Sequence, residues 1–420
     1  MDTQKKEIAL IGAGKIGKGY TADLFSEAGY HLIFLCHSLK QAEAMRAQGS
    51  YTIFKYRNGQ EAPEEYQISD FEAYSTAAEY EQCLAVLARV RYATVHVYPG
   101  AFQAIGHMVG DAIRRRVAEG NADTLDLMLC LNYIDADRIL KRYIEQRLET
   151  EEERRYFAEK VGVGMALTFR WGAEPQPWML QKDPLCACVA ESPDLPVDAE
   201  AFRGPVPPGA ALRPLTKMRE RLAYKLWGGN VSSAILANLS MQRGYAYTGE
   251  GREDDGVYLA SVLGTREAEF GFDQVYHLTP AEKAENVRGR NHGERPREQV
   301  RQEQGYQGMD PVTRVGADPA RKLARQDRLV GPAIACMRAG RIPFFLAKAA
   351  AAGFYFKNPA DASACEIQDY IARRGIEAAV ETYCELDLTD PAEQALYQLI
   401  LAHYYDMSGE DPITLPYFKQ

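Results

Sequence analysis

The chain has 420 residues, 46% of them hydrophobic and 25% charged, enough for two domains with substantial cores. A formal net charge of −9 argues against nucleic acid or an anionic membrane as the main partner. No apolar run approaches the roughly 18 residues that cross a bilayer, and residues 1–6 lead directly into a strand with no room for a signal peptide, so a cytoplasmic protein is expected.

The first predicted strand, residues 7–11, runs into Gly12-Ala13-Gly14-Lys15-Ile16-Gly17. In this G-x-G-x-x-G pattern the first glycine allows a tight turn and the second lets backbone N–H groups approach a pyrophosphate. The third lets the next helix lie close on the sheet. The pattern alone is weak. Here it follows a strand and precedes a helix expected over 15–28, with a second strand over 31–36, and that context favours dinucleotide binding over a merely structural turn. NAD sites place an acidic residue near the end of the second strand for the ribose hydroxyls. This chain has Cys36-His37-Ser38-Leu39-Lys40 there. With no carboxylate to repel a 2′-phosphate, NAD and NADP are both open, NADP slightly favoured, with His37 and Ser38 as contacts. The plainer alternative is that these residues cap the strand and start the next helix.

Further strands are expected over 51–55, 92–97 and 126–131, and further helices over 39–48 and 101–118. Such alternation implies an α/β fold with a mostly parallel, Rossmann-like sheet and ligands at the carboxyl ends of the strands. Arg114-Arg115-Arg116 reads as a solvated helix face. Two more strands are expected over 161–171 and 186–191, followed by an irregular Pro-rich segment (Pro193, Pro196, Pro205, Pro207, Pro208, Pro214). Beyond 215 the patterns are almost all helical, with residues 283–310 expected as a mobile loop or exposed helix. The domains are therefore drawn as 1–214, Rossmann-like and dinucleotide-binding with extra strands, and 215–420, mainly α-helical and carrying substrate and catalysis, with a cleft between them. The eight cysteines are scattered in apolar stretches and read as buried small hydrophobes, and neither they nor the seven histidines show zinc spacing, so no metal is expected.

Lys225-Leu-Trp-Gly-Gly-Asn230-Val-Ser-Ser233 opens the most apolar part of the second domain. On an α-helix Lys225, Asn230 and Ser233 fall within an arc of about 140°. A lysine so placed could take a hydroxyl proton while hydride leaves the same carbon, and an asparagine beside it could stabilise the alkoxide. On residue types alone, a lysine and an asparagine on a helix are more often solvated polar groups.

Over about residues 7–345 the chain resembles the polyol-specific long-chain dehydrogenases, the group of mannitol-1-phosphate 5-dehydrogenases and mannitol 2-dehydrogenases. The resemblance is sharpest in IGAGKIGKGY, in KLWGGNVSSA, and from Arg314 to Lys322 followed by Asp327-Arg-Leu-Val-Gly-Pro332. It implies a metal-independent NAD(P)-dependent dehydrogenase with Lys225 as general acid/base and Asn230 completing the alkoxide pocket. It also implies that Asn132 places the reacting hydroxyl and that Arg314 and Lys322 contact the substrate, with Arg170 and Ser233 as further contacts. Ser233 stands where the family has histidine, Leu131 where it has glutamate, and Phe169 where an acidic residue precedes Arg170. These replacements put the polyol in question more than the redox chemistry. The expected substrate is a sugar alcohol, sugar phosphate or related hydroxy acid. A non-catalytic dinucleotide- or sugar-phosphate-binding sensor is the alternative, and a hydroxy-acid dehydrogenase on a similar scaffold a third.

Overall fold

A computed structural model describes residues 6–57, 62–169, 172–191, 194–287 and 310–409. The chain divides into two compact units, residues 1–219 and 220–420. The first unit is built on a six-stranded, all-parallel sheet of β1 (Glu7–Ile11), β2 (His31–Cys36), β5 (Phe71–Ser75), β6 (Tyr92–Val95), β7 (Leu125–Leu129) and β8 (Val161–Met165). Its order, β5-β2-β1-β6-β7-β8, reverses direction between β1 and β6. That reversal is the place where parallel α/β sheets open a crevice for a dinucleotide.

Period-two alternation distributes each strand between two cores. Ala9 and Ile11 of β1, Ile33 and Leu35 of β2, and Leu125, Leu127 and Leu129 of β7 share one face with α3 (Tyr80–Arg89) and α4 (Phe102–Ala118). Ile8, Leu10, Leu32 and Phe34 enter the opposite core with Leu24 and Phe25 of α1 (Ala22–Glu27) and Met45 of α2 (Leu39–Gln48).

The expected strand over 51–55 forms as β3 (Tyr51–Tyr56), but outside the parallel sheet. It pairs antiparallel with β4 (Glu64–Ile68) and parallel with β10 (Ala187–Ala190), which pairs with β9 (Gly172–Ala173). The third strand of the parallel sheet is instead β5, whose Phe-Glu-Ala-Tyr-Ser sequence lacks the apolar run that marks its neighbours. The Pro-rich segment is not wholly irregular either. Pro196 lies in β11 (Leu195–Asp198) and Pro214 in β12 (Leu212–Leu215), paired in parallel. In a two-stranded ladder each strand is an edge, so a proline can turn its missing N–H outward.

Arg116 corrects the reading of a solvated arginine face. Its guanidinium is fully buried and donates to the carbonyls of Leu87, Ala88, Val90, Asp123 and Thr124 at 2.9–3.1 Å, and to Tyr156 Oη at 2.7 Å. Five carbonyls, from the C-terminal end of α3 through Val90 and from Asp123 and Thr124 just before β7, are thereby gathered onto one planar donor. Seven of the eight cysteines are buried thiols, Cys365 being exposed, and none forms a disulfide.

The second unit is helical throughout its described part. After α4 the first unit adds α5 (Ala136–Glu145), α6 (Glu151–Lys160) and α7 (Pro177–Lys182). The second opens with α8 (Met218–Tyr224) and α9 (Val231–Gln242), and its longest helices are Asp255–Val275 and Ala362–Cys384, the latter broken at Gly375. Among the described residues no helix is long and apolar enough to cross a membrane. Most of the expected 283–310 stretch lies outside the described residues.

Candidate functional site

The glycine loop follows β1 at the sheet's switch point. Gly12 has φ +98°, and a Cβ there would stand 2.8 Å from the His96 carbonyl oxygen, so both backbone conformation and close approach require glycine. Gly17 is closed to any side chain, since its Cβ would lie 2.1 Å from the Gly12 carbonyl oxygen. Gly14 is the opposite case: a Cβ there meets no atom within 4 Å. The middle glycine thus faces open space while the outer two are packed. This is the division expected if backbone approaches a pyrophosphate at Gly14.

Surrounding groups fix the loop. Gln41 Nε2 donates to the Ala13 carbonyl at 2.9 Å, tying the loop to α2. Lys15 forms an exposed ion pair with Glu174, and Ile16 packs against the core on the α1 face. The helix expected over 15–28 contains a π-helical turn, Gly17–Thr21, before α1 begins. His37 and Ser38 are exposed at the end of β2, where Ser38 Oγ accepts a 3.4 Å bond from Gln41 N as the N-cap of α2. Capping leaves the exposed His37 imidazole and Lys40 ammonium available to a ligand. The carboxylate that would select against a 2′-phosphate is absent from Cys36-His37-Ser38-Leu39-Lys40.

His96 was not singled out from sequence, and it borders the loop. It follows β6, donates its backbone N–H to the Ile11 carbonyl at 2.8 Å, and places Nε2 3.0 Å from Thr21 Oγ1. Its Nδ1 has no hydrogen-bond partner, and burial pushes its pKa down to about 4, which keeps the ring neutral at physiological pH. The signal that could have found it is positional: it stands at the end of the strand just across the sheet's switch point. Asn132 follows β7 and is partly buried, Leu131 beside it belongs to the core, and Phe169 follows β8. Asn132 and Phe169 therefore share the carboxyl edge of the sheet with the glycine loop. Arg170 lies outside the described residues.

In the second unit Lys225–Asn230 forms a π-helical turn between α8 and α9. A π-turn bonds residue i to i+5, so a residue five on lies over its partner as a residue four on does in an α-helix. The 140° separation expected of an α-helix is therefore corrected, with Lys225 and Asn230 brought into axial register. Lys225 is 6% exposed, while Asn230 and Ser233 are half-buried. Trp227 anchors the turn. Its indole packs edge-on against Phe272 and Tyr276 and donates to the Gln326 carbonyl at 3.4 Å.

The other two expected substrate contacts have local partners. Arg314 forms a two-pronged pair with Asp310. Lys322 is buried and donates Nζ to the carbonyls of Val315, at 2.6 Å, and Ala317. Burial, reinforced by Arg328 and Arg321, holds its pKa well below the usual lysine range. This ammonium ties its own loop together. Among the described residues no group of three or more His, Cys, Asp or Glu could hold a metal ion.

Residues 6–168 match the family model of the mannitol dehydrogenase Rossmann domain. Over 390 residues the chain is 28% identical to mannitol-1-phosphate 5-dehydrogenase of Bacillus subtilis strain 168, covering 91% of this chain and 96% of that protein. The enzyme of the same name from Anoxybacillus flavithermus is 24% identical over 388 residues, with the same coverages. Among solved structures, the Pseudomonas fluorescens mannitol 2-dehydrogenase ternary complex with NAD and D-mannitol superposes with TM-score 0.75 at 13% identity, covering 96% of this chain and 91% of that one. Substrate-free D-sorbitol dehydrogenase gives TM-score 0.70 at 14% identity, with 98% and 95% covered.

Proposed function

We propose that this chain, a divergent member of the polyol-specific long-chain dehydrogenases, interconverts a secondary alcohol and a ketone on a phosphorylated or otherwise acidic polyol, with a nicotinamide dinucleotide as hydride carrier. The observation that carries the reading is the buried Lys225 in axial register with Asn230 on a π-turn. A lysine held out of bulk water on this turn can exchange a proton directly with a substrate hydroxyl placed beside it, the task of a general acid/base. The similarity to mannitol-1-phosphate 5-dehydrogenases over 91% of the chain supports the same class of substrate.

The glycine loop from Gly12 to Gly17 fits the cofactor's pyrophosphate, because only Gly14 leaves space at its Cβ position. Exposed His37 and Ser38 fit the adenosine ribose, and the missing acidic residue favours NADP slightly over NAD. When bound, the nicotinamide accepts or donates the hydride. Lys225 takes the hydroxyl proton during oxidation and returns it during reduction. Asn230 donates its amide N–H to the oxygen as negative charge develops, and Asn132 orients the same hydroxyl. Ser233 can hydrogen-bond the substrate but cannot carry charge as an imidazole would. Arg170 and Arg314 are the proposed contacts for the remaining polar groups, whereas the carbonyl bonds of Lys322 favour a supporting role.

The test is absorbance at 340 nm with NAD or NADP and a panel of D-mannitol 1-phosphate, D-mannitol, D-sorbitol and hexonates. Reduction of either cofactor by a phosphorylated or acidic polyol is the expected result. No reduction with any of them, despite dinucleotide binding, would instead favour a sensor.

A further inference from the structure

The segment after the π-turn's packing partner holds a charged group that the proposed chemistry does not use. Arg328 is 6% exposed, and its backbone N–H and Nε both donate to Asp327 Oδ1, at 2.7 and 2.5 Å. Its Nη2 is buried and has no hydrogen-bond partner. A guanidinium carries five donors in a fixed fork, and a buried one normally finds an acceptor for each.

Charge compounds the anomaly. Arg321 Nη1 also approaches Asp327, at 3.4 Å, although its closer partner is Asp318, to which its Nε donates at 2.6 Å. Neighbouring Lys322 donates to carbonyls and hydrogen-bonds no carboxylate. Arg328 and Lys322 are thus buried near one another, with Asp327 as the carboxylate on Arg328 and Asp318 as the main partner of Arg321. A buried guanidinium with an unpaired donor is costly in a low-dielectric interior and is relieved by an incoming anion. The position is adjacent to the Lys225 turn. Trp227 of that turn holds the Gln326 carbonyl, and a Cβ at Gly331 would stand 2.7 Å from the same indole. Asp327 and Arg328 lie between these two contacts.

We propose that Arg328 is the anchor for an anionic group of the substrate, a phosphate or a carboxylate, bound through its free Nη2 beside the Lys225 turn. The assignment rests on the dehydrogenase reading only for the identity of the molecule that bears the anion. A forked guanidinium offers two parallel donors to either oxyanion, which a lysine cannot reproduce. The site would select phosphorylated or acidic polyols over neutral ones.

The test separates the anion site from the reaction. Thermal unfolding of the full-length protein is followed with increasing inorganic phosphate, and separately acetate, against sodium chloride at equal ionic strength. The wild-type midpoint should rise with one of these anions, phosphate pointing to an ester and acetate alone to a carboxylate. Arg328→Lys, which keeps a cation against Asp327, should weaken that binding by about tenfold to a hundredfold, and Arg328→Gln should abolish it. A response to neither anion, or one that ignores Arg328, overturns the proposal. In turnover, Arg328→Lys should raise KM for fructose 6-phosphate by a similar factor and leave KM for fructose and kcat within about threefold. Arg328-dependent anion binding without turnover would discard the dehydrogenase reading and keep the site.

Discussion

The glycine loop offers a sharp test, because one substitution at two positions should have opposite consequences. Gly17→Ala places a methyl 2.1 Å from the Gly12 carbonyl oxygen, a backbone atom that cannot swing away. An ordinary C···O contact is about 3.3 Å, so the turn must open by more than 1 Å. Overpacking of this kind costs about 1–3 kcal/mol, against which the helix propensity of alanine returns about 1 kcal/mol. Because the clash is with backbone, the upper part of that range, about 2–3 kcal/mol, applies, and the variant should be destabilised by about 1–2 kcal/mol net. Gly14→Ala meets no atom within 4 Å and needs no left-handed backbone. Its stability should be unchanged or raised by about 0.4–1 kcal/mol, through reduced freedom of the unfolded chain. The same methyl occupies the space where the pyrophosphate would meet the backbone. Loss of one charged hydrogen bond, about 1.5–3 kcal/mol, weakens dinucleotide binding by about tenfold to a hundredfold. Urea unfolding and nicotinamide fluorescence titration read the two effects separately. Cofactor affinity within twofold of wild type for Gly14→Ala, or wild-type stability for Gly17→Ala, would refute the reasoning.

Other expectations are independent of the cofactor. Arg116→Met takes the guanidinium from five carbonyls, of which Ala88 keeps Asn121 Nδ2 and Asp123 keeps Tyr156 Oη, and should lower stability by about 3–5 kcal/mol in urea unfolding; a loss below 1 kcal/mol would mean that water replaces the guanidinium. Lys322→Met should cost about 2–3 kcal/mol through the exposed need of the Val315 and Ala317 carbonyls, whereas unchanged stability would return Lys322 to a substrate role. His403 is buried, and desolvation with the nearby Lys348 charge lowers its pKa to about 4. Its unfolded value is about 6.5, so the unfolded chain binds the extra proton between those values and stability falls as pH drops from 6.5 toward 4. The contribution lost between pH 7 and 5 is about 2 kcal/mol. His403→Leu should show a shallower decline by that amount, and an unaltered pH profile would show that the imidazole titrates normally.

The parallel sheet was legible because β1, β2, β6 and β7 are buried on both faces and read as apolar runs bounded by turns. β5 escaped notice because its Glu72 and Ser75 break that pattern, and β3 was recognised as a strand but not as a member of a second sheet. Pairing partners are a tertiary property that local periodicity does not contain. Arg116 shows the same boundary in a single residue. Three consecutive arginines on a helix read as solvated, and only the carbonyls at the end of α3 and just before β7 reveal why one turns inward. The Lys225–Asn230 spacing was visible, yet five residues suit an α-helix poorly, and the π-turn that aligns them, on which Trp227 packs against Phe272 and Tyr276, is not written in the local pattern. The free donor of Arg328 was beyond the sequence, since hydrogen-bond satisfaction is counted only once the fold has chosen partners.

The central claim is that Lys225 moves the substrate proton. Its most direct test compares wild type and Lys225→Ala with the same phosphorylated polyol and cofactor, measuring turnover at 340 nm alongside dinucleotide affinity by fluorescence. The account predicts turnover reduced by at least about a hundredfold with dinucleotide affinity within twofold. Turnover retained in Lys225→Ala, or affinity lost in parallel with it, would contradict a proton-transfer role and make the lysine a structural residue of the π-turn.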